Sequence, residues 1–390
     1  MEKRIELKGI TWGHSRGYTP LVACAQRYSE LHPEMNITWK KRTLQEFADY
    51  PIEQLVHEYD LLIIDHPWAG TAAATGCVLP LDQYLSEACL NDQLQHSVGH
   101  SHQSYFFEEH QWALAIDAAT PVASYRKDLL DNNGAVIPGS WKELISLAEK
   151  GKVAVPAIPI DLLMNFYMFC IASGKEPFVH DDRVIDDATG KAALKMMQEL
   201  WSRVDKKMFS CNPITIAELM TTTDELWYCP FAYGYSNYSR RGYARSILHY
   251  TDMVNIYAGE QLRSTLGGTG LSVSAFSGYK HEAVKFAEWI VSPGVQSSLY
   301  VSNGGQPGHR LAWEDEEINR NTNGYFINTL PALDRAFVRP RYNGYLHFQD
   351  RAGVHIQQYL QNGGNVQKVL DEINRLYINS QKLNLNHSQK

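Results

Sequence analysis

No run in the 390 residues approaches the ~18 consecutive apolar residues that a membrane-spanning helix needs, and the chain reads as not integral to a membrane. Cationic excess is also missing. Thirty-six Lys and Arg stand against 43 Asp and Glu, a formal net charge of -7, which removes the basic footprint a nucleic-acid partner would require. Cysteine is sparse: Cys24, Cys77, Cys89, Cys170, Cys211 and Cys229 are scattered, with no C-x-x-C pair and no ligand-like spacing. That excludes a dense disulfide scaffold, and the six read as free, small core residues. Internal repeats, low-complexity tracts and long linkers are absent too. Met1–Lys8 is charged but lacks the apolar segment of a secretory signal. The chain is therefore expected in the periplasm or at the cell surface if a leader was removed, and in the cytoplasm if Met1 is the native start.

The familiar catalytic motifs are missing as well. Gly267-Gly268-Thr269-Gly270 has no Gly-Lys-Ser/Thr after it, so it is not a phosphate loop. There is no G-x-S-x-G nucleophile elbow and no H-E-x-x-H zinc helix. His96, His100 and His102, with His110 further on, are the tempting metal ligands, but Gly99 interrupts them and no carboxylate or Cys completes a known spacing. They read as an exposed polar loop.

What is present is an ordinary globular composition, 44% hydrophobic and 20% charged, long enough for two or three domains. Twenty-two Tyr beside 9 Trp hint at a binding surface. Ile5–Trp12 alternates as a half-buried strand would, and Gly13–Gly17 breaks it. Pro20 fits the first turn of the helix that follows. A second strand runs through Ile37 and Trp39, another helix is expected before residue 60, and Asp60–Asp65 is a short apolar run of the kind a sheet covers on both faces. This strand–helix alternation predicts an α/β layered fold. Further on, helices are predicted over 141–150 with Ser140 as N-cap, over 161–172 with apolar residues nearly all round, and over 194–204, 281–291 and 366–377. Short strands are predicted at 114–116, 153–155 and 270–276. The segment 227–257 interleaves aromatic rings with Gly, Ser, Asn and Arg, and reads as a loop whose rings are half core and half binding surface. Aromatic faces with polar tips suit carbohydrate; the arginines leave an acidic ligand open. Asp65 and Asp117 could be a glycosidase pair, but an acid at a strand end also suits hydrogen bonding to sugar hydroxyls, and catalysis is the minority reading.

Four segments in series resemble the extracellular solute-binding proteins of ABC importers, in particular the large carbohydrate-type family 1 to which maltose-binding proteins belong. They are DLLIIDHPWAG with GCVLPLDQYL (60–85), WALAIDAATPVASYRKDLL through SWKELISLAEK (112–150), GGTGLSVSAF through GGQPGHRLAW (267–313), and the final helix pair (350–377). The resemblance spans most of the chain in the right order. It implies a two-lobed, periplasmic-binding-protein-like α/β fold of class II type, with a ligand cleft and hinge-linked lobes that close on the solute. The N-lobe would comprise 1–117 and 263–312, and the C-lobe 118–262 and 313–390. It further implies a monomer that captures a small polar solute, a sugar or sugar acid, and delivers it to the transmembrane permease subunits. No catalytic residue, cofactor or metal is expected.

Carried over by position, the implied solute contacts are Trp12 and His14 after the first strand and Asp65, His66 and Trp68 after the DLLIID strand. They continue with Asp117 before the first crossing, Tyr233 as a stacking ring and Asn237 as paired donor and acceptor. Gly268 and Gly270 would admit the ligand close to backbone, and Tyr345 and His347 complete the set. His14 and His66 stand where many sugar binders have other residues, which keeps a sugar acid or other small anion open. An intracellular relative that senses or sequesters such a metabolite is the alternative function, and a glycoside hydrolase is third.

Overall fold

The computed structural model describes residues 4–43, 52–257 and 260–387. The helix expected before residue 60 lies partly outside them; within them Ile52–Leu55 is helical. The strands of the two main sheets are β1 (Ile5–Trp12), β2 (Met35–Arg42), β3 (Leu61–Ile64), β4 (Leu114–Ala119), β5 (Pro121–Tyr125), β6 (Tyr228–Tyr233), β7 (His249–Thr251) and β8 (Gly267–Val273).

The chain forms two compact units. The first gathers Met1–Ala119, Gly267–Arg320 and Arg341–Asn343; the second gathers Thr120–Leu266, Asn321–Pro340 and Gly344–Lys390. The last expected crossing, near 312, falls instead at 320. Trp313, 1% exposed, donates its indole N–H to the Pro307 carbonyl at 2.7 Å, and Asn319 donates to the Trp313 carbonyl at 2.8 Å, which holds 313–320 to the first unit. Residues 263–266 stay with the second unit, where Leu266 N–H donates to the Phe337 carbonyl at 2.7 Å. A return that the sequence did not announce comes at 341–343: the Arg341 guanidinium donates to the carbonyls of Gln103 and Phe106 at 3.0 and 2.7 Å.

In the first unit the strand order is β2-β1-β3-β8-β4, with β1, β2 and β3 parallel and β8 antiparallel to both its neighbours. Every residue of β3 is buried, as its uninterrupted apolar run requires of a strand covered on both faces. The helix α1 (Ser15–Leu31) packs on this sheet and starts earlier than expected. His14 caps it, so Pro20 lies inside the helix rather than in its first turn. The helices α2 (Glu87–His96), α3 (Lys280–Val291) and α4 (Arg310–Glu314) belong to the same unit.

The second unit has a three-stranded antiparallel sheet, β6-β5-β7, beneath a helical layer. Trp141–Glu149 is helical and the Ser140 hydroxyl accepts from Glu143 N–H, the cap the sequence predicted. Pro159–Ala172 is buried from Asp161 through Cys170, the behaviour of a helix that is apolar all round and enclosed by neighbours. Tyr345–Asn362 and Val366–His387 form the final pair, separated by Gly363 and Gly364 at φ 72° and 127°. Residues 153–155 make a single bridge to Tyr228 rather than a strand. The segment 227–257 is not one loop: β6 and β7 run through it, and Tyr228, Phe231, Tyr235, Tyr238 and Tyr250 are buried. Alternating large rings were drawn into the sheet in spite of the turn-forming residues among them. All six cysteines are free, and all but Cys89 are buried.

Candidate functional site

The first unit assembles its candidates at one end of its sheet. Parallel pairing puts the carboxyl ends of β1 and β3 side by side, and the amino end of antiparallel β8 and the carboxyl half of β4 complete the row, with Gly270 opposite Ile64 and Thr269 opposite Asp117. Trp12 and His14 thus emerge next to Asp65 and His66, the edge at which α/β sheets carry ligands.

His14 has a defined chemical state. Its Nδ1 accepts from the Arg16 N–H at 3.0 Å, so the ring proton of the neutral tautomer is on Nε2. Burial, helped by the Arg16 charge, lowers its pKa to about 4, and the ring is a neutral donor at physiological pH. Trp12 is 3% exposed. Its ring stacks on His14 at 5.7 Å, lies under the Arg16 guanidinium at 5.6 Å, and fits against Gly17, where a Cβ would stand 2.3 Å from the indole. Arg16 is the centre of this arrangement and the sequence reading missed it. Its guanidinium forks onto Asp117, with Nε 2.9 Å from Oδ2 and an Nη2 contact to Oδ1, both side chains buried. Asp117 was expected to accept from solute hydroxyls; it accepts from Arg16 and from the Gln306 backbone instead. Burial pushes its carboxyl up and Arg16 opposes that shift. A bidentate pair of this kind occupies both carboxylate oxygens.

Asp65 caps the short helix His66–Trp68 by accepting from His66 N–H at 2.8 Å, and its side chain is 25% exposed. His66 is 1% exposed and packs edge-on to Tyr105 at 6.3 Å; Trp68 is 7% exposed. Gly268 and Gly270 do make close approaches, but to the protein. A Cβ at Gly268, where φ is 93°, would stand 2.3 Å from the Asp117 carbonyl, and one at Gly270 would stand 2.7 Å from Ala113 Cβ and the Tyr105 ring. They let strands pack, which corrects the expectation that they admit a ligand.

In the second unit Tyr233 ends β6, partly exposed, with its hydroxyl 2.9 Å from Thr265 Oγ1. Asn237, 2% exposed, keeps its Oδ1 buried with no hydrogen-bond partner among the described residues. Tyr345 is fully buried, 3.3 Å from the Tyr167 hydroxyl and edge-on to Phe178, so it is a core residue rather than a solute contact. His347 is partly exposed, and burial followed by the Arg351 charge lowers its pKa.

A second missed group is Asp161. It lies in the first turn of the buried helix Pro159–Ala172, 6% exposed, its Oδ2 without a hydrogen-bond partner among the described residues, and burial pushes its carboxyl up to about 8. One acid at the head of a helix otherwise apolar all round was the available signal, because such a group is costly to bury and rarely sits there for stability.

The model of the family "Bacterial extracellular solute-binding protein" matches residues 57–297. The fold is similar to the maltose-bound MalE3 of T. maritima, with a TM-score of 0.83 at 16% identity over 96% of this chain and 99% of that one. It is similar to a solute-binding protein of an Agrobacterium radiobacter ABC transporter in complex with ribitol, with a TM-score of 0.81 at 18% identity over 96% and 98%. The GacH receptor of Streptomyces glaucescens, solved unliganded and with acarbose, gives 0.79 at 17% identity over 98% and 99%. Identities this low carry the fold, the two-lobed α/β architecture of solute-binding proteins, and the family match carries membership. This chain belongs to the bacterial extracellular solute-binding protein family.

Proposed function

We propose that the chain is the receptor of an ABC importer, capturing a small, neutral, polyhydroxylated solute outside the cytoplasmic membrane and handing it unchanged to a permease. The observation that carries this is end-to-end likeness, within the family, to proteins solved with maltose, ribitol and acarbose. The chain's own chemistry favours a neutral guest over a sugar acid. Within the first unit His14 is a neutral imidazole and Asp65 a partly exposed carboxylate, and the Arg16 charge is already matched by Asp117. Hydroxyl-rich ligands need such mixed donors and acceptors, and an anion would need a surplus cation.

The test is calorimetric titration of the full chain with a panel of polyols, mono- and oligosaccharides and sugar acids. Saturable binding of a neutral member is expected, with the solute recovered intact after long incubation. His14→Ala and Asp65→Asn should each weaken it by about tenfold, the ~1.4 kcal/mol of one hydrogen bond to a charged or well-placed group. Tight binding of sugar acids alone, or turnover of the solute, would overturn the proposal.

A further inference from the structure

Three side chains with no part in the solute reading meet in the first unit. Asp92 and His96 are four residues apart on α2, so they project from one face. His309, which caps α4, comes from 217 residues beyond Asp92. His96 Nδ1 is 3.0 Å from Asp92 Oδ1, His309 Nε2 is 3.3 Å from Asp92 Oδ2, and one ligand atom from each residue lies within 4.8 Å of the other two. The two imidazoles stack at 5.7 Å with their planes 23° apart. Of the histidines weighed from the sequence, only His96 takes part. His100 is exposed, His102 is buried in the helix Ser101–Ser104, and His110 pairs with Asp82 at 3.0 Å.

We propose that Asp92, His96 and His309 bind a transition-metal dication of the zinc class. Two imidazole nitrogens and a carboxylate suit such an ion and exclude calcium or magnesium, which take oxygen ligands. Tetrahedral bonds of ~2.0–2.1 Å put ligand atoms ~3.3 Å apart, close to the two histidine–carboxylate separations of 3.0 and 3.3 Å. His96 is half exposed, which leaves the fourth position to water.

The framework delivers the third ligand rigidly. His309 is 1% exposed and bridges Ser97, while its neighbour Gly308 accepts from Val98 N–H at 2.9 Å and donates to Gln296 Oε1 at 2.8 Å. The site would therefore tie the end of α2 to the segment before α4.

Proton accounting gives the site a second signature. His309 Nδ1 now accepts from Leu311 N–H at 3.3 Å, which puts the ring proton on Nε2, facing Asp92. Coordination through Nε2 moves that proton to Nδ1 and breaks the cap bond, so the first turn of α4 loosens as the metal binds.

The experiment titrates the chelator-treated full chain with Zn²⁺ by calorimetry and with Co²⁺ by visible absorption. One equivalent should bind, the cobalt form should show tetrahedral d–d bands, the melting temperature should rise, and amide exchange at Leu311 should quicken. Asp92→Asn and His96→Gln should each bind at least about tenfold more weakly and lose the cobalt bands. His100→Gln, exposed and outside the cluster, should bind like the parent. Unchanged affinity in Asp92→Asn and His96→Gln, no saturable binding at micromolar metal, or equal weakening by His100→Gln would overturn the proposal.

Discussion

Replacing Asp161 by Asn should stabilise the chain at neutral pH, and the gain should disappear in acid. Burial raises this carboxyl from 3.8 to about 8 in the native state. Between those values the folded chain holds a proton that the unfolded chain has released, so this group makes stability fall as pH rises through the window. At pH 7 the separation from 3.8 is about 3 pK units, and at ~1.4 kcal/mol each the penalty is about 4 kcal/mol. Asparagine has nearly the same shape and does not titrate, so the difference between variant and parent widens by about 4 kcal/mol between pH 4 and pH 7. Urea unfolding of both proteins across that range, followed by circular dichroism, measures it. A difference that does not change with pH refutes the reasoning, since it would mean that the carboxyl ionises normally in the fold. A variant that is more stable yet binds solute less well would show why so costly a residue is kept.

Arg16→Met should lower stability by about 3–5 kcal/mol, because it leaves the Asp117 carboxylate buried without its partner; the double change Arg16→Met with Asp117→Leu should recover most of that loss in thermal denaturation. Gly268→Ala should cost about 1–3 kcal/mol, since φ is 93° and the new Cβ would press on the Asp117 carbonyl across the β4–β8 pair. Gly278→Ala, where a Cβ meets nothing within 4 Å, is the control and should stay within about 0.5 kcal/mol of the parent.

How much was legible in the chain follows from the range of the forces involved. The run Leu61–Ile64, the Ser140 cap, the buried helix beginning at Pro159 and the glycine break at 363–364 all lie within a few residues of the groups that cause them. Backbone hydrogen bonding and hydrophobic periodicity act at that distance, so those elements could be read directly. The ordered family segments extended the reading to the fold.

Which polar groups meet is a different kind of fact. Asp117 looked like a solute acceptor until the fold brought Arg16, 101 positions away, onto both its oxygens. Tyr233 and Tyr345 are the same residue type, yet one lines a strand end and the other is sealed among Tyr167 and Phe178. Gly268 and Gly270 promised space for a guest, and a neighbouring strand and an aromatic ring fill it. His96 was weighed against the histidines near it in sequence, whereas the imidazole stacked on it is that of His309. The amino-acid order determined the local elements and the charge balance. Tertiary structure alone decided which side chains are paired, buried or available, because desolvation and ion pairing depend on groups brought together only by packing.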